Sequence, residues 1–185
     1  MDLFSELDAR RAANAKKLAA FGVTTSIAAG GSIKVIRSGT SLTLYTIGYE
    51  RREADGLISA LRDQSVKAIA DVRERPVSRK SDFRAPALRA LCESAGIEYQ
   101  PWPMLGSTVE QREELHASGD FRSFADHFRE YAIKTMANDL ARLAESASQI
   151  PTALLCYERL HEDCHRSIIA DLIAEQLNAT VIAIQ

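Results

Sequence analysis

No run of about 18 consecutive apolar residues occurs in the chain, so nothing in it reads as a membrane-spanning helix and no membrane partner is expected. Cysteine is scarce. Three in 185 residues, an odd number at irregular spacing, do not make a disulfide framework. An excess of charge of one sign is missing as well: the formal net charge is −2, which gives no global electrostatic reason to expect nucleic acid. The opening residues, Met1-Asp2-Leu3-Phe4-Ser5-Glu6-Leu7-Asp8, have neither the basic start nor the apolar centre of a signal peptide. Together with unpaired cysteines, this leads to the expectation of a cytoplasmic protein. Internal repeats and low-complexity tracts are also absent.

What is present is the composition of an ordinary globular domain, 46% hydrophobic and 26% charged. A chain of this length buries about 70% of its unfolded surface, enough for a core without staples. Residues 1–41 read as an extension. Its first part, Met1 to about Phe21, has Leu3, Leu7, Leu18 and Phe21 to face a core, and Gly22 as a helix stop. Thr24–Gly31 reads as a linker. Ser32–Arg37 alternates weakly, and the turn Ser38-Gly39-Thr40 joins it to Leu42–Ile47, as a hairpin or as an edge strand leading into the core.

From Thr43 onward, strands alternate with helices. Strands are predicted near 43–47, 67–72, 97–102, 152–156 and 180–184. Helices are predicted over Glu53–Asp63, Ala85–Ala95, part of the polar stretch Ser107–Asp120 with Thr108 as cap, Phe121–Ser146 and Cys164–Leu177. The pattern predicts an α/β fold for residues 42–185: a mostly parallel five-stranded sheet with helices on both faces.

In such a sheet, binding sites form outside the carboxyl ends of the strands. Those ends carry Tyr49-Glu50, Asp71 with Arg73 and Arg75, Pro103–Gly106, and Glu158-Arg159. The densest stretch is Leu154–Arg166, which places two cysteines, two histidines and two arginines on one strand-to-helix turn. Four chemistries are candidates there. Arg73, Arg75, Arg79, Lys80, Arg84, Arg159 and Arg166 suit an anion, since guanidinium groups bind phosphate or carboxylate in a fork. The helix start at Cys164-His165-Arg166, capped by Asp163, offers free N–H groups and a readily ionised thiol. Cys156, His161, Cys164 and His165 are zinc-type donors, but their spacing is not that of a zinc motif, and neighbours at a helix start are expected to point apart. Asp71, Glu158 and His165 are candidates for acid–base work, or for orienting Arg73, Arg159 and Arg166 by ion pairs. Cys92, beside Leu88 and Leu91, reads as core.

The blocks Leu-Tyr-Thr-Ile-Gly-Tyr-Glu (44–50), Ile-Ala-Asp-Val-Arg-Glu-Arg-Pro-Val-Ser-Arg-Lys (69–80), Ala-Gly-Ile-Glu-Tyr (95–99) with Leu-Gly-Ser (105–107), Leu-Leu-Cys-Tyr-Glu-Arg (154–159) and Cys-His-Arg-Ser (164–167) together resemble the family catalogued as domain of unknown function 488. The resemblance covers about Leu42 to the C-terminus. It implies a three-layer, Rossmann-like fold and no settled activity. The family's characteristic residues fall on Gly48, Tyr49, Asp71, Arg73, Pro76, Ser78, Arg79, Cys156, Glu158, Cys164, His165 and Arg166. Arg51 stands where that family often has glycine.

These readings converge on an anion pocket for a phosphate, nucleotide or carboxylate at the strand ends. Gly48, Tyr49, Arg73, Arg79 and Arg166 would bind the ligand. Asp71, Glu158, Cys164 and His165 would handle protons if the protein is an enzyme. No cofactor is assigned, and the three cysteines are expected as free thiols without zinc. The alternatives are a non-catalytic nucleotide or nucleic-acid module, and a structural protein whose polar turn is a buried hydrogen-bond network.

Overall fold

The computed structural model describes residues 42–185 together with the backbone of two short strands that precede them. Those strands, β1 (Thr24–Ile27) and β2 (Ile33–Ile36), pair antiparallel as a hairpin. The stretch read as linker therefore contains a strand, and β2 turns back on β1 rather than forward on residues 42–47. The helix expected over residues 1–21 lies outside the described residues.

The core follows in the order β3 (Thr43–Gly48), α1 (Ala54–Asp63), β4 (Ala68–Asp71), α2 (Ala85–Ser94), β5 (Glu98–Pro101), α3 (Val109–Ser118), α4 (Phe121–Thr135), α5 (Ala137–Gln149), β6 (Thr152–Cys156), α6 (His165–Leu177) and β7 (Thr180–Ile184). The sheet has the strand order β5-β4-β6-β3-β7, and its four pairings are all parallel. It is an α/β fold with a five-stranded parallel sheet, as the alternation of patterns predicts. The chain lays down β3, β4 and β5 first and then returns to insert β6 between β3 and β4. All five residues of β6 are buried, which accounts for the unbroken run Thr-Ala-Leu-Leu-Cys where a half-exposed strand would alternate.

Side chains one apart on a strand serve opposite faces. Ile47, Ile69, Ala153 and Leu155 pack with Leu57, Leu61, Leu88 and Cys92 of α1 and α2. Leu44, Ala70 and Leu154 pack with Phe128, Leu140, Leu143, Ile169 and Ile173 of α4, α5 and α6. Three layers result.

Two boundaries differ from expectation. The helix anticipated over Phe121–Ser146 is two helices that meet at Met136 (φ −109°, ψ 9°). Neither proline nor glycine marks the break. Met136 is buried, 4% exposed, and the turn there lets both helices keep an apolar face on the sheet. The last helix is capped by Cys164 rather than Asp163. By contrast, α3 follows its sequence signals. Thr108 and Gln111 form a reciprocal capping box, and Gly119 closes the helix at φ 65°.

Candidate functional site

Insertion of β6 at the centre brings its carboxyl end between those of β3 and β4. Cys156, its last residue, lies opposite Gly48 of β3. Strand alternation puts Cys156 on the α4–α6 side of the sheet, and Glu158, two residues on, extends that side. The chain then loops to Cys164. Its extended backbone (φ −132°, ψ 139°) is that of a helix N-cap, and its sulfur accepts from the Arg166 N–H at 3.5 Å. His165 opens α6.

These residues converge. Glu158 Oε2 lies 2.8 Å from Cys164 Sγ. His165 Nδ1 lies 3.8 Å from Cys156 Sγ and 3.9 Å from Cys164 Sγ. One donor atom from each of Cys156, Glu158, Cys164 and His165 falls within 4.8 Å of every other. His165 Nε2 sits 3.0 Å from the Val72 carbonyl. A carbonyl only accepts, so Nε2 carries the proton that it donates, and Nδ1 faces the sulfurs. Cys156 is 4%, Cys164 1% and His165 6% exposed; Glu158 alone of the four is half-buried.

The readily ionised thiol expected at this helix start is not what the site holds: burial, reinforced by Cys156, pushes the Cys164 thiol well above its ordinary range. Burial would also raise Glu158, but the hydrogen bond from Cys164 and one from its own backbone outweigh this and hold it below the usual carboxylate range. For His165, burial favours the neutral ring, while Cys164, the Val72 carbonyl and Glu158 act the other way and leave its pKa raised.

Two further expectations about this turn are corrected. Cys164 and His165 do not point apart; both donor atoms turn inward, because one is an extended cap and the other the first helical residue. His161 does not join them, since its Nδ1 pairs with Thr46 Oγ1 at 2.9 Å. Glu158 takes the place that the sequence suggested for His161. The signal that finds it is the Cys-x-Glu pair at a strand end, two residues apart and hence on one face.

Asp71 and Arg73 form a separate buried cluster on the α1–α2 side. Arg73 donates to Asp71 in a fork, Nε to Oδ1 at 2.8 Å and Nη2 to Oδ2 at 2.6 Å. Its Nη1 donates to the Tyr49 hydroxyl at 3.0 Å and to the Phe83 carbonyl at 2.9 Å. Tyr99 adds an O–H donor to Asp71 Oδ2 at 2.6 Å. Burial alone would lower the Arg73 pKa; Asp71 raises it further than burial lowers it. Tyr49 stacks on Phe83 with ring centroids 4.5 Å apart. Asp71 thus orients Arg73, as one of the sequence readings has it, but both groups are consumed in doing so.

Arg166 is 1% exposed. It donates to the main-chain carbonyls of Glu158 at 2.6 Å and Arg159 at 3.2 Å, and its Nε has no partner among the described residues. The Glu158 carboxylate is turned to Cys164 and does not orient this guanidinium. Gly48 lies where an added Cβ would come 1.9 Å from the Glu158 carbonyl oxygen, so glycine there permits the β6–α6 loop to close over β3. Arg79 is exposed on the loop after β4. The residues selected from the sequence thus divide into a Cys–Glu–Cys–His cluster under α6, an Asp–Arg–Tyr cluster under α2, and an arginine clamp between strand end and loop.

Chemically, a 1% exposed thiol with a raised pKa is a poor nucleophile, and the carboxylate beside it is already engaged. A cavity of about 110 Å³ lies elsewhere, lined by Leu115, Phe124, His127 and Phe128 among others. One of its lining residues, Phe128, meets the cluster, with its ring edge-on to that of His165 at 5.6 Å. Two sulfurs, an imidazole nitrogen with a free lone pair and a carboxylate in one buried spot form a donor set for a thiophilic cation. Among known proteins, a family model described as Domain of unknown function DUF488 matches residues 53–173, well over half of the chain. No curated protein and no solved structure matches.

Proposed function

The chain belongs to the DUF488 family, and from that premise we propose that its function is carried by a metal centre in which Cys156, Glu158, Cys164 and His165 bind one divalent cation of the zinc class. The observation that carries this reading is the convergence of the four donor atoms within 4.8 Å. A tetrahedral ion held at about 2.3 Å by sulfur and about 2.0 Å by nitrogen or oxygen separates its donors by about 3.3–3.8 Å. His165 Nδ1 lies 3.8 and 3.9 Å from the two sulfurs, at the upper end of that range, and the 2.8 Å between Glu158 Oε2 and Cys164 Sγ would open as the ion replaces the thiol proton.

The surroundings support the same reading. His165 donates its other nitrogen to a carbonyl, the usual way in which a ligating imidazole is held in one tautomer. The Arg166 N–H points at Cys164 Sγ, a contact that stabilises a thiolate. Two thiolates and a carboxylate around a divalent ion leave one net negative charge, and the buried Arg166 guanidinium, held on the backbone of Glu158 itself, offsets it. A bound ion would cross-link the end of β6 to the start of α6 and supply Lewis acidity at the carboxyl edge. An anion site built on Arg73 and Arg166 draws less support, because Arg73 gives its fork to Asp71 and Arg166 turns both Nη groups to main-chain carbonyls.

The test is elemental analysis of the full chain purified without chelators or a metal-affinity tag. One zinc-class ion per chain is expected. Cys156→Ser, Cys164→Ser and His165→Ala should each lose it, with a loss of thermal stability that added zinc no longer restores. A chain that carries only traces of metal, and whose unfolding temperature zinc does not raise, would overturn the reading.

A further inference from the structure

The four donors are not equally held. Cys156 is fixed by the parallel ladder between β6 and β3, Cys164 by its cap geometry and the Arg166 N–H, and His165 by Val72 and the Phe128 ring. These three are also the inaccessible ones. Glu158 differs in each respect. Its carboxylate has side-chain partners only within the cluster among the described residues, Cys164 at 2.8 Å and, more weakly, Cys156. It sits in an irregular loop rather than a strand or helix, and it is the one donor residue of the four that is not fully buried. Its loop also carries the exposed Tyr157 and Leu160, 50% and 42% exposed. As a hard oxygen donor in a soft set, it is the weakest match to a thiophilic ion. The main chain of Glu158 is clamped by Arg166, so the carboxylate can leave while the loop stays in place.

Building on the metal reading above, we infer that Glu158 is a displaceable ligand and that the centre offers one coordination position, opened from the side of the Tyr157–Leu160 loop, to a small thiol. Cys2His is a three-ligand donor set of open catalytic zinc sites, whose fourth position is left to an exchangeable ligand. In the exchange, the metal–carboxylate bond breaks and a metal–sulfur bond forms. The thiol enters as thiolate, its proton passes to solvent, and Glu158 is released as a carboxylate, so the charge of the centre does not change and no oxidant or reductant is needed. The softness of the remaining donors selects sulfur over oxygen as the incoming atom.

The experiment uses the full chain loaded with cobalt(II) in place of zinc, titrated with 2-mercaptoethanol and, separately, with acetate. Wild type should show a saturable increase in the sulfur-to-cobalt charge-transfer absorption with the thiol and none with acetate. Glu158→Ala should keep the ion on three ligands and bind the thiol about tenfold or more tightly, because a tethered competitor at millimolar effective concentration has been removed. Glu158→His, which fills the position with a stronger ligand, should keep the ion and abolish the response. Uptake of cobalt with a spectrum that the thiol leaves unchanged in both wild type and Glu158→Ala overturns this inference and leaves the metal reading intact. The same holds if acetate produces the larger response. Failure of wild type to take up cobalt or zinc at all is the separate failure of the metal reading.

Discussion

Asp71 accepts the Arg73 fork on both oxygens and the Tyr99 hydroxyl on one of them, in a spot where the carboxylate is 1% and the guanidinium 6% exposed. A pair this deep is a poor source of net stability, yet breaking it is costly because the surviving charge stays buried. Asp71→Asn keeps the shape and removes the charge opposite Arg73. It should destabilise the fold by about 3–5 kcal/mol, read as a lower urea midpoint with an unchanged slope; a loss within the error of the measurement would show that Arg73 finds another partner. At this scale the sequence identifies the polar residues but not their roles. Asp71, Arg73, Glu158, Cys164, His165 and Arg166 are all legible as residues gathered at strand ends. That Arg73 serves Asp71, while Arg166 serves two main-chain carbonyls, depends on side-chain directions that no spacing reveals.

The element on which the site depends is the β6–α6 connection. The strand ends on one donor, the loop supplies a second, and the helix begins with the other two. The metal proposed above would span this junction and tie the first turn of α6 to the central strand. Removing it should loosen the junction first. Chelation of the metal-loaded protein is expected to raise amide exchange in residues 157–168 while β4 and α2 stay protected, followed by hydrogen exchange with mass spectrometry. Equal protection before and after chelation would mean that the ion adds nothing to the junction. The sequence indicates this junction well, through an apolar strand, a reactive turn and helical periodicity from Ile168. It fails at the break in the long helix, because Met136 is an ordinary helix former and only packing on the sheet decides that the axis turns there.

Across the whole molecule, some of the buried protons belong to groups far from the candidate centre. Burial, then Asp71 and Glu93, push the Cys92 thiol from its ordinary 9.0 up to about 12. Burial, then Asp71, raise Tyr99 as well. A raised folded-state pKa means that the folded chain keeps a proton that the unfolded chain gives up. The stability tied to these groups is therefore complete below about pH 9 and falls as the pH climbs from there toward 12. Thermal unfolding temperatures should decline over that window, and Cys92→Val should decline less steeply; an equal slope in the variant would exclude the thiol as a source. The sequence by itself determines the layered α/β plan, because the periods of its apolar residues fix which segments are strands, which are helices and which faces are buried. It also determines that polar and reactive side chains gather at the carboxyl edge, since parallel strands all end on the same side. The tertiary structure alone decides which of those residues meet. Strand order inserts β6 between β3 and β4, and this brings Val72 to His165 and Thr46 to His161. The extended cap at Cys164 then turns two adjacent side chains to one point. Neither fact is local, so neither is written in the spacing of the motif.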